Sequence, residues 1–126
     1  MSVYPHDQFA DIPNRPGIQG RTLAGPEHGI TTFFIQEDRL ETGARIPLHT
    51  HPVDEVLVVV EGRLTVTAGA ETQTVPSDTT LVIPPGTPHR LVNDGPDSVR
   101  ILAAAAWNRA TFYQQASTYL EGQPRG

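Results

Sequence analysis

Two imidazoles and a carboxylate crowd the stretch GARIPLHTHPVDEVLVVVEG, residues 43–62. They are His49, His51 and Glu55, and the apolar run Val56–Val60 follows at once. Burying such groups without partners costs on the order of several kcal/mol, so something must satisfy them at the mouth of a buried strand. Neutral imidazole nitrogens and carboxylate oxygens bind divalent transition metals at about 2.0–2.2 Å. A fourth candidate, His89, follows Pro84-Pro85-Gly86-Thr87-Pro88. Proline fixes φ and glycine accepts angles that other residues avoid, so this turn can aim one side chain inward. A cation held by such a set lowers the pKa of a bound hydroxyl, enol or carboxylic acid, and Glu55 is the candidate catalytic group that moves the proton.

The elements that must position these groups are strands. Turn signals such as Gly25-Pro26, Thr42-Gly43, Glu61-Gly62, Gly69-Ala70 and Asp94-Gly95-Pro96 break the chain into nine short segments of β character between residues 20 and 107. Short strands at this spacing predict an all-β sandwich or barrel. Residues 1–19, rich in Pro, Asp and Asn, read as an N-terminal arm. Residues 108–126 read as a C-terminal helix and tail, because Phe112, Ala116, Tyr119 and Leu120 fall at helical spacing and Gly122 can end the helix.

Side chains alternate faces along a strand. His49 and His51 therefore share one face, and the same parity puts Arg45 with them. Arg45 is a candidate anchor for a substrate carboxylate, which guanidinium binds in a bidentate fashion; the plainer alternative is an arginine facing solvent. Glu55, Leu57 and Val59 share one face of the next strand, and Val56, Val58 and Val60 the other. Both faces are apolar, so both should be covered, one by the barrel interior and the other by the arm, the tail or a second subunit. A homodimer is the expectation. The run Ala103–Ala106 leaves room for a cavity beside Trp107, which is a second candidate substrate-binding residue.

The spacing from Gly43 through His49, His51 and Glu55 to Gly62 resembles the first motif of the cupin superfamily, G-x5-H-x-H-x3,4-E-x6-G, at every specified position. Pro84, Gly86, His89 and Asn93 resemble the second motif, G-x5-P-x-G-x2-H-x3-N, with Asp78 where the family usually has Gly. Asp tolerates the same turn conformation. The resemblance implies a double-stranded β-helix, a jelly-roll-like barrel of two sheets. It also implies one divalent transition metal (Fe, Mn, Ni, Cu, Co or Zn) held by His49, His51, Glu55 and His89. The complete ligand set resembles quercetinase-like dioxygenases, so the first expectation is an oxygenase acting on a substrate chelated to the metal. The alternatives are a non-redox cyclase, isomerase or lyase acting on a polyketide or sugar, and a ligand-sensing protein without catalysis.

Composition narrows the field. The 126 residues fit one domain, carry a formal net charge of −5 and include no cysteine, which excludes disulfides, thiolate ligands and cysteine nucleophiles. The nine basic residues are all Arg and are scattered, so the basic footprint of a nucleic-acid binder is missing. No run approaches the about 20 apolar residues that span a bilayer, and the start of the chain lacks the pattern of a signal peptide. A small-molecule substrate and a cytoplasmic location are the expectations.

Overall fold

The computed structural model describes residues 1–106 and 118–121. Ten strands run in the order β1 (Ile18–Ala24), β2 (Phe34–Leu40), β3 (Arg45–Thr50), β4 (Glu55–Glu61), β5 (Arg63–Ala68), β6 (Glu71–Pro76), β7 (Thr79–Ile83), β8 (His89–Val92), β9 (Val99–Ala105) and β10 (Thr118–Tyr119). They form two five-stranded antiparallel sheets, β1-β2-β9-β4-β7 and β10-β3-β8-β5-β6. The chain crosses repeatedly from one sheet to the other, which gives the sandwich or barrel expected from the turn signals the jelly-roll form that the family resemblance implies.

The core fills the space between the sheets. Leu57 and Val59 of β4, Leu64 and Val66 of β5, Leu91 of β8 and Val99, Ile101 and Ala103 of β9 belong to one buried cluster. Each lies at every second position of its strand, so the alternation fixes which face turns inward. The turn between β4 and β5 depends on Gly62. Its φ is +82°, and a Cβ there would sit 2.7 Å from the Ser98 carbonyl oxygen, so only glycine fits without displacing the start of β9.

Within the single chain the outer face of β4 is partly open: Val56 is 36% exposed and Val82, its register partner on β7, is 60% exposed. One expectation needs correction at its end, the helix read over 108–120. Thr118–Tyr119 form strand β10, paired with His49 and Thr50 of β3, and residues 107–117 lie outside the described residues. Thr and Tyr favour a pleated edge, and the register is pinned by the bond from Leu120 N–H to the Leu48 carbonyl (2.8 Å). Among the described residues, no helix is long and apolar enough to cross a membrane.

Candidate metal centre

His49 is the last residue but one of β3, His51 follows that strand, Glu55 opens β4 and His89 opens β8. The four side chains meet inside the barrel, each at most 4% exposed. A ligand nitrogen from each of His49, His51 and His89 lies within 4.8 Å of the other two, and the three residues form a group that can hold a metal ion. Glu55 reaches the same cluster. Its Oε1 is 3.3 Å from His89 Nε2 and its Oε2 is 3.9 Å from His51 Nε2.

Local backbone aims the rings. His49 Nδ1 is 2.6 Å from the Pro47 carbonyl oxygen, and His89 Nδ1 is 2.9 Å from that of Thr87. A carbonyl only accepts, so each Nδ1 carries the proton and donates it. In the neutral rings the Nε2 lone pair is then free to bind, which is the tautomer a metal requires. His89 Nε2 is buried and makes no hydrogen bond. The second-motif turn is tied to the first motif by the bond from Gly86 N–H to the His51 carbonyl (2.7 Å).

Burial keeps His49 and His51 uncharged. It lowers the His49 pKa to about 4, with His89 adding to the effect and the bond to Pro47 opposing it. Burial also lowers the His51 pKa to about 2, with His49 and His89 both contributing. A buried group of imidazoles beside a carboxylate is the donor set that suits a divalent ion.

The structure separates Arg45 from this group. The β3–β8 ladder shifts register between Ile46 and His49, so one extra residue on β3 inverts the parity. Ile46 and His49 both point inward, and Arg45 points out. Its guanidinium binds Glu121, and its side chain is 53% exposed. The reading that placed Arg45 beside the histidines is therefore corrected. Trp107 lies outside the described residues.

Sequence reasoning missed three supports. Glu121 accepts two bonds from Arg90 (2.8 and 2.7 Å) and one from Leu48 N–H (2.7 Å), so it clamps β3 to β8 behind their histidines. These bonds, with Arg90 first, hold its carboxyl down at about 2. Tyr119 stacks on His49 with ring centroids 5.2 Å apart. Buried Gln36 and Asp38 line the inner face of β2, and Arg15 reaches in from the arm to bind Asp38 (2.7 and 3.1 Å). Asp38 lines a small internal void together with His49 and Glu55. A signal existed for this last group, because Phe34, Gln36, Asp38 and Leu40 share one parity. The tail contacts left none.

An all-β jelly roll with three histidines converging on its inner wall defines a narrow class. Residues 37–105 match the Cupin domain family, and the chain belongs to it. It is 40% identical over 93 residues to polyketide synthase CurC of Streptomyces cyaneus, across 71% of this chain and 60% of that protein. The match thus spans 60% of that relative's length. Its structure resembles the polyketide cyclase RemF from Streptomyces resistomycificus, with a TM-score of 0.80 at 19% identity over 98% of this chain and 87% of the other. It also resembles an oxalate oxidase in complex with glycolate, with a TM-score of 0.68 at 20% identity over 86% and 57% of the two chains. At these identities the structural likenesses show the fold alone.

Proposed function

We propose that this cupin is a metal-dependent enzyme acting on a small molecule that bears a hydroxyl, enol or carboxylate, with His49, His51, His89 and Glu55 as ligands. The observation that carries the reading is the pair of carbonyl bonds that fix Nδ1–H on His49 and His89. Those bonds cost the cluster two of its donors and leave inward-facing nitrogens that suit a cation. A divalent ion bound there supplies Lewis acidity toward a substrate oxygen. The chain's own residues do the rest. Glu55 is the buried carboxylate within reach of that oxygen and takes up its proton. Neutral His51 adds no positive charge that would hold the proton elsewhere. Leu57, Ile101 and Ala103 keep water from the reacting end.

The favoured reaction is a non-redox ring closure, isomerisation or elimination on a polyketide-like substrate. The 40% identity to a polyketide synthase component supports it. An oxygenase is the second reading, favoured by the complete set of three imidazoles and one carboxylate, which also suits a redox-active ion. The test is to load the metal-free protein with each candidate ion, count bound metal by elemental analysis, and follow a hydroxylated polyketide substrate with and without dioxygen. One ion per chain and equal turnover in both conditions are expected. Stoichiometric oxygen uptake would replace the first reaction with the second. Metal and ligand binding without turnover would leave a sensor, and no stoichiometric metal would overturn the whole reading.

The same proposal includes a cytoplasmic homodimer built on the outward face of β4 and β7, where Val56 and Val82 are exposed. Sedimentation equilibrium is expected to give twice the 13.7 kDa chain mass, and a single-chain mass at micromolar concentration would refute it.

A further inference from the structure

Along one side of the barrel the two sheets part, where their terminal strands β6 and β7 lie. Between them opens a cleft of about 530 Å³, within the range of about 300–1,000 Å³ found for small-molecule sites. Val66, Val75, Leu81 and Ile83 give it an apolar wall. The strand ladders connect this wall to the histidine cluster. Ile83 is the register partner of Glu55, and Ala68, also in the wall, is the register partner of His89. Paired residues point to the same side of a sheet, so Ile83 and Ala68 flank Glu55 and His89 on the barrel's inner face. Thr87 closes the same end and supplies the carbonyl that orients His89.

We propose that this cleft is the substrate bay of the metal centre and that it takes a flat, uncharged, largely apolar molecule with hydroxyl or enol groups at its inner end. This rests on the metal-enzyme reading above and narrows its substrate class. Charge decides against the main competitor, a small dicarboxylate. Among the described residues no arginine lines the cleft, and the one ionisable residue in its lining is Glu71. Glu71 pairs with Ala68, which places it level with His89. Recognition of a carboxylate calls for a guanidinium or comparable donor, and a like charge level with His89 opposes it. Arg90, next in sequence to His89, is committed to Glu121. Hydroxyl groups, by contrast, find Gln73, Thr79 and Thr87 in the lining, and the outer edges of β6 and β7 keep unpaired backbone groups.

The test uses 1,8-dihydroxynaphthalene under argon as the neutral probe and oxalate as the dicarboxylate, each titrated into the metal-free chain and followed by backbone amide NMR. The naphthalene is expected to shift the amides of Thr79–Ile83 and Gln73–Val75 saturably, and oxalate to leave them in place. Gln73 pairs with the inward Val66, and Thr72 with Thr67 on the opposite face. Gln73→Trp, which fills the cleft, is therefore expected to weaken naphthalene binding at least tenfold, and Thr72→Trp to change it less than twofold. Shifts confined to other surfaces, equal effects of the two tryptophans, or tighter binding of oxalate would overturn the proposal. The metal reading is judged separately. If the ion binds while the naphthalene moves no cleft amide, the bay falls and the metal centre stands. If the naphthalene binds there and no ion does, the bay stands and the metal centre falls.

Discussion

Among the buried polar groups of this barrel, two clusters are satisfied in opposite ways. Around Asp38, Arg15 donates to both carboxylate oxygens and Gln36 donates to Oδ1 (3.0 Å). Space is reserved for that arrangement, because a Cβ on Gly20 would lie 2.2 Å from Asp38 Oδ1. Around His89 the carbonyls occupy only the outer ring nitrogens, and the inner ones face one another and Glu55. A closed network of opposite charges holds a shape. An open set of inward-facing ring nitrogens holds a place for a cation. Both line one small void through Asp38, His49 and Glu55, so the contrast is between two walls of a single cavity.

Acid should separate them most sharply. His49 and His51 titrate near 6.5 when unfolded and at about 4 and about 2 when folded. Below pH 6.5 the unfolded chain binds protons that the folded chain refuses, so stability falls as pH falls, by up to about 1.4 kcal/mol per pH unit for each ring. By pH 4 the metal-free protein should have lost on the order of 5 kcal/mol, much of a small domain's stability. Urea unfolding at pH 7.5, 6 and 5 measures this. His49→Gln should remove about one proton from the slope, and an unchanged slope would mean that the ring is not held neutral.

Breaking the closed cluster comes next. The side chains of Arg15 and Asp38 are 8% and 2% exposed. Arg15→Met leaves a buried, uncompensated carboxylate and should cost about 3–5 kcal/mol at neutral pH. Adding Asp38→Leu should recover much of that loss, since an apolar pair of similar volume avoids the desolvation cost. A loss below about 1 kcal/mol in the single variant would show that the network is not structural.

The open cluster should give the reverse pattern. His51→Gln is expected to lower affinity for Zn or Co ions at least 100-fold in a calorimetric titration, equivalent to about 2.7 kcal/mol. The same variant should change the stability of the metal-free protein at pH 7.5 by less than about 1 kcal/mol. Equal losses in both measurements would erase the distinction between the two walls.

The legibility of the two clusters differs for a physical reason. His49, His51 and Glu55 sit at fixed short spacings that can be read from the chain, and His89, though far along the sequence, follows its own proline-glycine turn, so both halves of the open cluster carry a local signal. The boundaries of β4, β5 and β7 were readable for the same reason, lying between Gly62, Gly69 and the proline turns. Arg15 and Asp38 are 23 residues apart, and nothing local records their meeting. Arg45 misled because parity reasoning assumes an unbroken ladder, and one extra residue before His49 breaks it. The tail misled because helical spacing at Ala116, Tyr119 and Leu120 carries no record of the free edge of β3 that captures Thr118 and Tyr119.

Asp78 gives the smallest and finest test, since it departs from the family pattern at a position both clusters depend on only indirectly. It adopts φ +59°, and its N–H donates to the Val59 carbonyl (2.8 Å), which ties the β6–β7 turn to β4. Left-handed backbone costs an ordinary L-residue about 1–2 kcal/mol, less for Asp, whose short side chain tolerates it. Glycine removes that strain but loses about 0.5–1 kcal/mol more in conformational entropy on folding. The two effects nearly offset, so Asp78→Gly should stabilise the protein by about 0.5 kcal/mol or less, whereas Asp78→Val, β-branched at positive φ, should destabilise it by more than about 1 kcal/mol. Thermal unfolding of the two variants side by side decides it. If valine is tolerated as well as glycine, the left-handed turn is not what anchors β7, and the cleft beside β7 loses the rigid edge that the bay requires.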